Sequence, residues 1–280
     1  MHYQDSLHVA CAQTNARLGD VDTNLEQHLD MIHDARRRGV ELLVFPELSL
    51  TGYGLGQAVM QVAMPKEDPR LERLASAAQG LLVVIGFVEE ASPGEYYNAL
   101  AIVTNGVIVA VHRKLNLPTY GGLEEGKWFS HGDALTQVDV CPGWKATALI
   151  CADLWNPGLV HAALLNRPTV LCAPINSASG IVSQDFSNEQ NWALNVSFYA
   201  MTYGTPVLMA NRYGPEGDSH FWGGSRILGP NGETLAEAED RETLIAARLS
   251  RTAIAKARFE LPTLRDADTP LVRQLMNGYR

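Results

Sequence analysis

The chain has 280 residues, 46% hydrophobic and 19% charged, with a formal net charge of −9. Its length suits one large domain or two ordinary ones around a substantial core. The acidic balance, with no basic run longer than Arg36-Arg37-Arg38, excludes the usual profile of nucleic-acid or anionic-membrane binders.

No stretch approaches the ~18–20 uninterrupted apolar residues of a membrane span. Met1-His2-Tyr3-Gln4-Asp5 lacks the basic and apolar regions of a signal peptide, so the cytoplasm is the expected location. Four cysteines with no C-x-x-C pair fit neither a disulfide scaffold nor a zinc site.

The elements alternate along the chain. Leu7 to Gln13 reads as a buried strand. Thr23-Asn24-Leu25-Glu26 has capping-box spacing, with Leu25, Leu29, Ile32 and Ala35 at helical intervals and Gly39 as the stop. Val40 to Phe45 is a second strand, Arg70 to Gln79 a helix closed by Gly80, and Leu81 to Val88 a third strand. Asn98 to Thr104 and Val107 to Arg113 flank Asn105-Gly106, the preferred pair for a type I′ hairpin turn.

Lys145 to Ile150 is a strand, Pro157 to Asn166 a helix and Thr169 to Ala173 a strand. Ser187 caps a helix reaching Tyr203 and stopped by Gly204. Pro206 to Asn211, Gly224 to Leu228, Glu233 to Ala238 (after an Asn231-Gly232 turn) and Thr243 to Leu249 complete the strands. The tail from Phe259 to Arg280 has weak periodicity, which suggests packing on the surface or on a partner. No linker or repeat stands out, so one α/β domain over residues 1–280 is expected. The two Asn-Gly hairpins make its sheets mixed.

Three apolar runs end in reactive residues. Glu47 follows Leu42-Leu43-Val44-Phe45-Pro46, Lys114 follows Val107 to Arg113, and Cys151 follows Ala146 to Ile150. Strand carboxyl ends are where open α/β sheets keep their chemistry. A thiolate is a nucleophile, a lysine lowers its pKa and holds an oxyanion, and a glutamate relays the protons. The Ala152 N–H, next to the thiol, is a natural second oxyanion donor. By spacing alone, Glu47 also suits a strand cap, Lys114 a solvated lysine and Cys151 an inert core thiol. Cys11, Cys141 and Cys172 read as core thiols.

Leu43-Val44-Phe45-Pro46-Glu47-Leu48-Ser49-Leu50-Thr51-Gly52-Tyr53, His112-Arg113-Lys114-Leu115-Asn116-Leu117-Pro118-Thr119-Tyr120 and Leu149-Ile150-Cys151-Ala152-Asp153-Leu154-Trp155-Asn156-Pro157 resemble the glutamate, lysine and cysteine motifs of the nitrilase (carbon–nitrogen hydrolase) superfamily. The resemblance spans nearly the whole chain and keeps the family order. It implies a four-layer α-β-β-α sandwich with two mixed sheets, a Glu47-Lys114-Cys151 triad, no cofactor and no metal. It also implies a second glutamate after the lysine. Glu125-Gly126-Lys127-Trp128-Phe129-Ser130-His131-Gly132-Asp133 resembles that stretch and puts it at Glu125, with Glu124 the alternative one residue away.

Leu117-Pro118-Thr119-Tyr120 and Asn176-Ser177-Ala178-Ser179 most resemble the glutaminase domain of glutamine-dependent NAD synthetases. That branch carries an acidic residue directly after the cysteine, where this chain has Ala152, and no synthetase half or nucleotide loop is in the sequence. The expectation is therefore a free-standing amidase acting on a small amide through a thioester. The alternatives are a nitrilase, or a glutaminase-like subunit supplying ammonia to a partner. Tyr53, Tyr120, Trp155 and Ser177 are the expected substrate-binding residues. A homodimer or larger homo-oligomer is expected, since family members associate through helices and the C-terminal region. Gly52-Tyr53-Gly54-Leu55-Gly56 reads as a flexible loop rather than a nucleotide loop.

Overall fold

The computed structural model describes residues 4–278; Met1, His2, Tyr3, Tyr279 and Arg280 lie outside them, and with them part of the signal-peptide and tail readings. In chain order the elements begin with β1 (Ser6–Gln13), α1 (Val21–Arg37), β2 (Leu42–Val44), α2 (Val59–Val62), α3 (Pro69–Ala77), β3 (Leu82–Ser92), β4 (Glu95–Thr104) and β5 (Val107–Arg113). There follow β6 (Gln137–Cys141), β7 (Trp144–Ala148), α4 (Pro157–Leu165), β8 (Val170–Pro174), α5 (Asn188–Tyr203), β9 (Val207–Ala210), β10 (Tyr213–Glu216) and β11 (Ser219–Trp222). The chain closes with β12 (Arg226–Leu228), β13 (Thr234–Glu237), β14 (Thr243–Ser250), α6 (Arg251–Glu260), α7 (Thr263–Asp266) and α8 (Thr269–Asn277).

Two six-stranded sheets run β14-β1-β2-β3-β4-β5 and β13-β12-β9-β8-β7-β6. In the first, β1, β2 and β3 are parallel to one another and the outer pairings are antiparallel. In the second, β7, β8 and β9 are parallel and the outer pairings antiparallel. The two sheets thus share the run of three parallel strands, with a helix after the first and second of each, and differ in the strand flanking it, β14 from the end of the chain in one and β6 just before β7 in the other.

Four layers follow from where the apolar side chains go. Val9, Leu42, Val84 and Leu100 of one sheet meet Trp144, Cys172, Leu208 and Ile227 of the other in a shared core. The opposite face of the first sheet buries Leu25, Ile32, Leu71 and Leu74 from α1 and α3. The opposite face of the second buries Val160, Leu164, Trp192 and Val196 from α4 and α5. Fully burying a side chain of this size is worth about 1.5–3 kcal/mol. The fold is therefore the expected α/β sandwich with mixed sheets.

Several local readings needed correction. The first helix is capped not by Thr23 but by Asp20, whose side chain accepts from the Thr23 N–H. Asn24 instead turns inward, donating to the Arg17 and Leu50 carbonyls. The hairpin β10–β11 and the edge strand β6 were not expected, their alternation being too short or too polar to read. Helix α6 was missed too; Ser250 caps it by accepting from the Ala253 N–H. The asparagine–glycine turn at Asn105-Gly106 is as expected, with φ of 49° and 83°.

His28 on α1 is fully buried and stacks on Phe45 at 4.1 Å. Its Nδ1 donates to the Asn24 carbonyl (2.6 Å) and its Nε2 accepts from the Ser49 hydroxyl (2.9 Å), so the ring is held neutral. Burial pushes its pKa down to about 4. Between that value and the ordinary ~6.5 the unfolded chain binds the extra proton, so stability present at neutral pH is lost as pH falls through this window, by about 3 kcal/mol in all. Melting temperatures from pH 7 to 4 check this: His28→Gln should show a flatter decline than the parent protein.

Candidate active site

Strand direction brings the reactive residues together. β5 is antiparallel to β4, and β4 to β3, so β5 runs with β2, and Glu47 and Lys114 leave the same edge of the first sheet. The Glu47 carboxylate accepts from the Lys114 and Asn98 side chains rather than capping the strand end, and its turn is tied across to the second sheet. The Glu47 N–H donates to the Ile175 carbonyl (3.3 Å), and Asn176 Nδ2 donates to the Glu47 carbonyl (2.9 Å). Beneath this turn passes Gly86 of β3, where a Cβ would lie 2.3 Å from the Leu48 nitrogen and 2.4 Å from the Pro46 oxygen. Any side chain there would push the glutamate turn off its strand.

Cys151 opens a short 3₁₀ turn just beyond β7 with φ at +43°, and Leu48 beside Glu47 has φ at +48°. Non-glycine residues take this left-handed conformation at a cost, and it is concentrated at functional turns. The cost is met locally by Asp153. Its Oδ1 accepts from the backbone N–H of Leu115 (3.0 Å) and Asn116 (2.7 Å), and its Oδ2 accepts from the Ile150 N–H (2.9 Å). One buried carboxylate thus holds the lysine segment against the cysteine turn. Asn116 Nδ2 adds a bond to the Ala152 carbonyl (2.8 Å). The Ala152 N–H sits in the first turn of the 3₁₀ segment, where helical geometry gives it no acceptor.

Lys114 is fully buried and donates from Nζ to Glu47 Oε1 (2.6 Å) and Glu125 Oε1 (2.7 Å). The Tyr53 hydroxyl donates to Glu125 Oε1 (2.6 Å), and Asn98 Nδ2 donates to Glu47 Oε1 (2.7 Å). Glu124 turns outward, with its side chain 65% exposed and 3.5 Å from Lys127. The second glutamate brought to Lys114 is therefore Glu125. Gly132, at the end of the same stretch, donates its N–H to the Lys114 carbonyl (2.8 Å); a Cβ there would lie 2.4 Å from the Arg113 oxygen.

The electrostatics follow from burial. Burial alone pushes the Lys114 ammonium down, but the charges of Glu125 and Glu47 outweigh it and hold the pKa well above the ordinary lysine value. One ammonium cannot neutralise two carboxylates. Burial raises the Glu47 carboxyl to about 7, with Lys114 opposing the rise and Glu125 adding to it. The Cys151 thiol is raised, first by burial and then by Glu47, while Lys114 and the Asn176 N–H oppose the rise. Cys151 therefore rests as a thiol, with a neighbouring carboxyl poised to take its proton. Glu47 Oε1 is held twice, whereas Oε2 is buried with no hydrogen-bond partner among the described residues.

A cavity of about 250 Å³ opens onto Cys151, and Tyr53, Tyr120, Trp155 and Ser177 all line it. Tyr53 faces it beside Glu125, and Tyr120 is about half exposed at its edge. The Ser177 hydroxyl is already engaged, accepting from Asn188 Nδ2 and Trp192 Nε1 (3.1 Å each). The loop read as flexible is pinned instead. Glu216 of β10 accepts from the backbone N–H of Tyr53 (3.2 Å) and Gly54 (2.7 Å), and buried Arg212 pairs with Glu216 while donating to the Ala16 carbonyl (2.7 Å). Asn98, Asp153, Arg212 and Glu216 were not singled out as site residues from the sequence. Only Asp153, inside the cysteine motif, offered a local signal.

Among the described residues no group of three or more His, Cys, Asp or Glu could hold a metal ion. None of their helices is long and apolar enough to cross a membrane.

Two six-stranded sheets between helical layers, with a cysteine, a lysine and two glutamates brought to the strand ends, define an α-β-β-α sandwich class. The carbon-nitrogen hydrolase family model matches residues 8–259, and the chain belongs to that family, the nitrilase superfamily.

The glutamine-dependent NAD(+) synthetase of Thermotoga maritima is 32% identical over 233 residues, which cover 82% of this chain and 39% of that protein. The chain thus spans about two fifths of that relative's length. The N-carbamoylputrescine amidase of Arabidopsis thaliana is 28% identical over 288 residues, covering 97% of this chain and 94% of that protein. Among solved structures, a mutant amidase from Nesterenkonia sp. AN1 carries the acetamide moiety of fluoroacetamide at its active-site cysteine. It matches with a TM-score of 0.82 and 25% identity, over 96% of this chain and 97% of that chain.

Proposed function

We propose that this protein hydrolyses a small amide to a carboxylic acid and ammonia through a thioester on Cys151. The Cys151 thiol gives its proton to Glu47 Oε2 as sulfur attacks the amide carbon. The developing oxyanion is met by the third N–H of Lys114, two being committed to carboxylates, and by the Ala152 N–H. Glu47 returns the proton to the departing nitrogen, which leaves as ammonia. It then takes a proton from water, whose hydroxyl attacks the thioester, and hands that proton back to the sulfur. Glu125 and Tyr53 hold Lys114 in place.

The observation that carries this reading is the asymmetry of Glu47, one oxygen held by Lys114 and Asn98 and the other buried and unpartnered. The acetamide moiety carried by the Nesterenkonia amidase cysteine supports a nucleophilic cysteine at this site. The exposed apolar side chains Leu194, Phe198 and Met201 on α5, and Leu271, Leu275 and Met276 on α8, support a homodimer or larger homo-oligomer.

The test is ammonia release from amides, glutamine, carbamoyl compounds and nitriles as a function of pH. With Glu47 working as a base from about 7, kcat/KM should fall roughly tenfold per pH unit below that value. Glu47→Gln should lose about 10²–10⁴-fold in rate and the acid limb with it. An unchanged limb in Glu47→Gln would assign the base to another group. Nitriles turned over faster than the matching amides would reverse the substrate order.

A further inference from the structure

The cavity in front of Cys151 has no charge to offer a ligand. Glu125 is the only acidic residue among those lining it, and it is committed to Lys114 and Tyr53; no lysine, arginine or histidine lines it. The remaining wall is mostly aromatic and aliphatic, and its other polar groups are neutral, with Asn176 and Asn188 each keeping an Oδ1 that has no hydrogen-bond partner among the described residues. Trp155 meets Trp192 edge to face at 5.0 Å between ring centroids and Phe186 at 5.9 Å, and Leu123, Ile181 and Val182 complete it. The Ser177 Oγ accepts from both Asn188 Nδ2 and the Trp192 indole, which leaves it no lone pair for a ligand. At about 250 Å³ the space lies just under the ~300–1,000 Å³ of drug-sized ligand pockets, so the ligand is small.

Resting on the amidase reading above, we infer that the substrate is an uncharged amide with an apolar, flat acyl group, aryl or short alkyl. Amides bearing an ammonium, a carboxylate or both on the acyl group are rejected. A charge brought into this space loses its water and finds no counter-charge, a penalty that multiplies into orders of magnitude in affinity. A planar group gains the edge-to-face and stacking contacts that an aromatic wall provides. Zwitterionic glutamine and cationic ω-amino amides fall on the rejected side.

The experiment measures binding to Cys151→Ala, which keeps the cavity but cannot turn over, through the fluorescence of Trp155 and Trp192. The probes are benzamide, butyramide, glutamine, succinamate and 6-aminohexanamide. Benzamide and butyramide should saturate the signal, and each charged probe should bind at least ~30-fold more weakly than benzamide. A charged probe binding closer to benzamide than that overturns the inference.

Val182→Asp, on the partly exposed part of the wall, serves as the converse. It should raise the affinity for 6-aminohexanamide at least ~10-fold relative to succinamate, and an unchanged ratio would count against the charge argument. Turnover by the parent protein separates the two readings. Neutral amides that bind selectively yet release no ammonia sink the amidase reading alone. Charged and neutral amides hydrolysed with equal kcat/KM sink the selectivity alone.

Discussion

Cys151→Ala is expected to lower amide hydrolysis by at least ~10⁴-fold while leaving the fold intact. The size of the effect comes from the division of labour at the site. Every bond change in the proposed cycle passes through sulfur, and no neighbouring group can replace it. Lys114 has its charge tied to two carboxylates, Glu125 is held by Lys114 and Tyr53, and the Ser177 hydroxyl is bonded to Asn188 and Trp192. Fold retention follows because the turn around residue 151 is held by Asp153 and Asn116, not by the thiol. Ammonia release and a thermal melt, measured side by side, check both halves. Residual hydrolysis within tenfold of the parent would mean that Cys151 is not the nucleophile.

Lys114→Met should be nearly as damaging, in two separable ways. Removing one oxyanion donor costs about 10²–10³-fold in kcat. Removing the only ammonium between two buried carboxyls costs about 3–5 kcal/mol of stability, because one partner of a buried ion cluster is lost. The pH dependence carries a definite sign. Without Lys114, which opposes the rise, the Glu47 carboxyl binds its proton even more readily in the folded state than it already does. A carboxyl whose folded pKa lies above its unfolded one loses stability as pH rises through that interval. Lys114→Met should therefore lie closer to the parent in melting temperature at pH 5 than at pH 8. A loss equal at both pH values would contradict the buried cluster as the cause.

What the sequence revealed was local, and what it concealed was distant. Glu47, Lys114 and Cys151 were visible because each ends an apolar run, and a strand end is a short-range pattern. Glu125 came from the resemblance of one stretch, and its separation from Glu124 needed the 3₁₀ turn that points one carboxyl inward and the other out.

Asn98 gave no signal because an asparagine at the start of a predicted strand reads as turn chemistry. Only the β3–β4 register, which pairs it with Val88, brings it to Glu47. The anchoring of Tyr53 was beyond reach for a plainer reason: Glu216 lies 163 residues further along the chain, on a hairpin too short to recognise. Glycine-rich sequence suggested mobility at residues 52–56, but tertiary hydrogen bonds decide it.

The most direct measurement is the mass of the protein itself, quenched in acid while it turns over a neutral amide. The account predicts an added acyl group, with the amide nitrogen lost, on the peptide containing Cys151, and none in Cys151→Ala. Turnover with no such adduct under conditions that trap thioesters, or an adduct on any other residue, would contradict it.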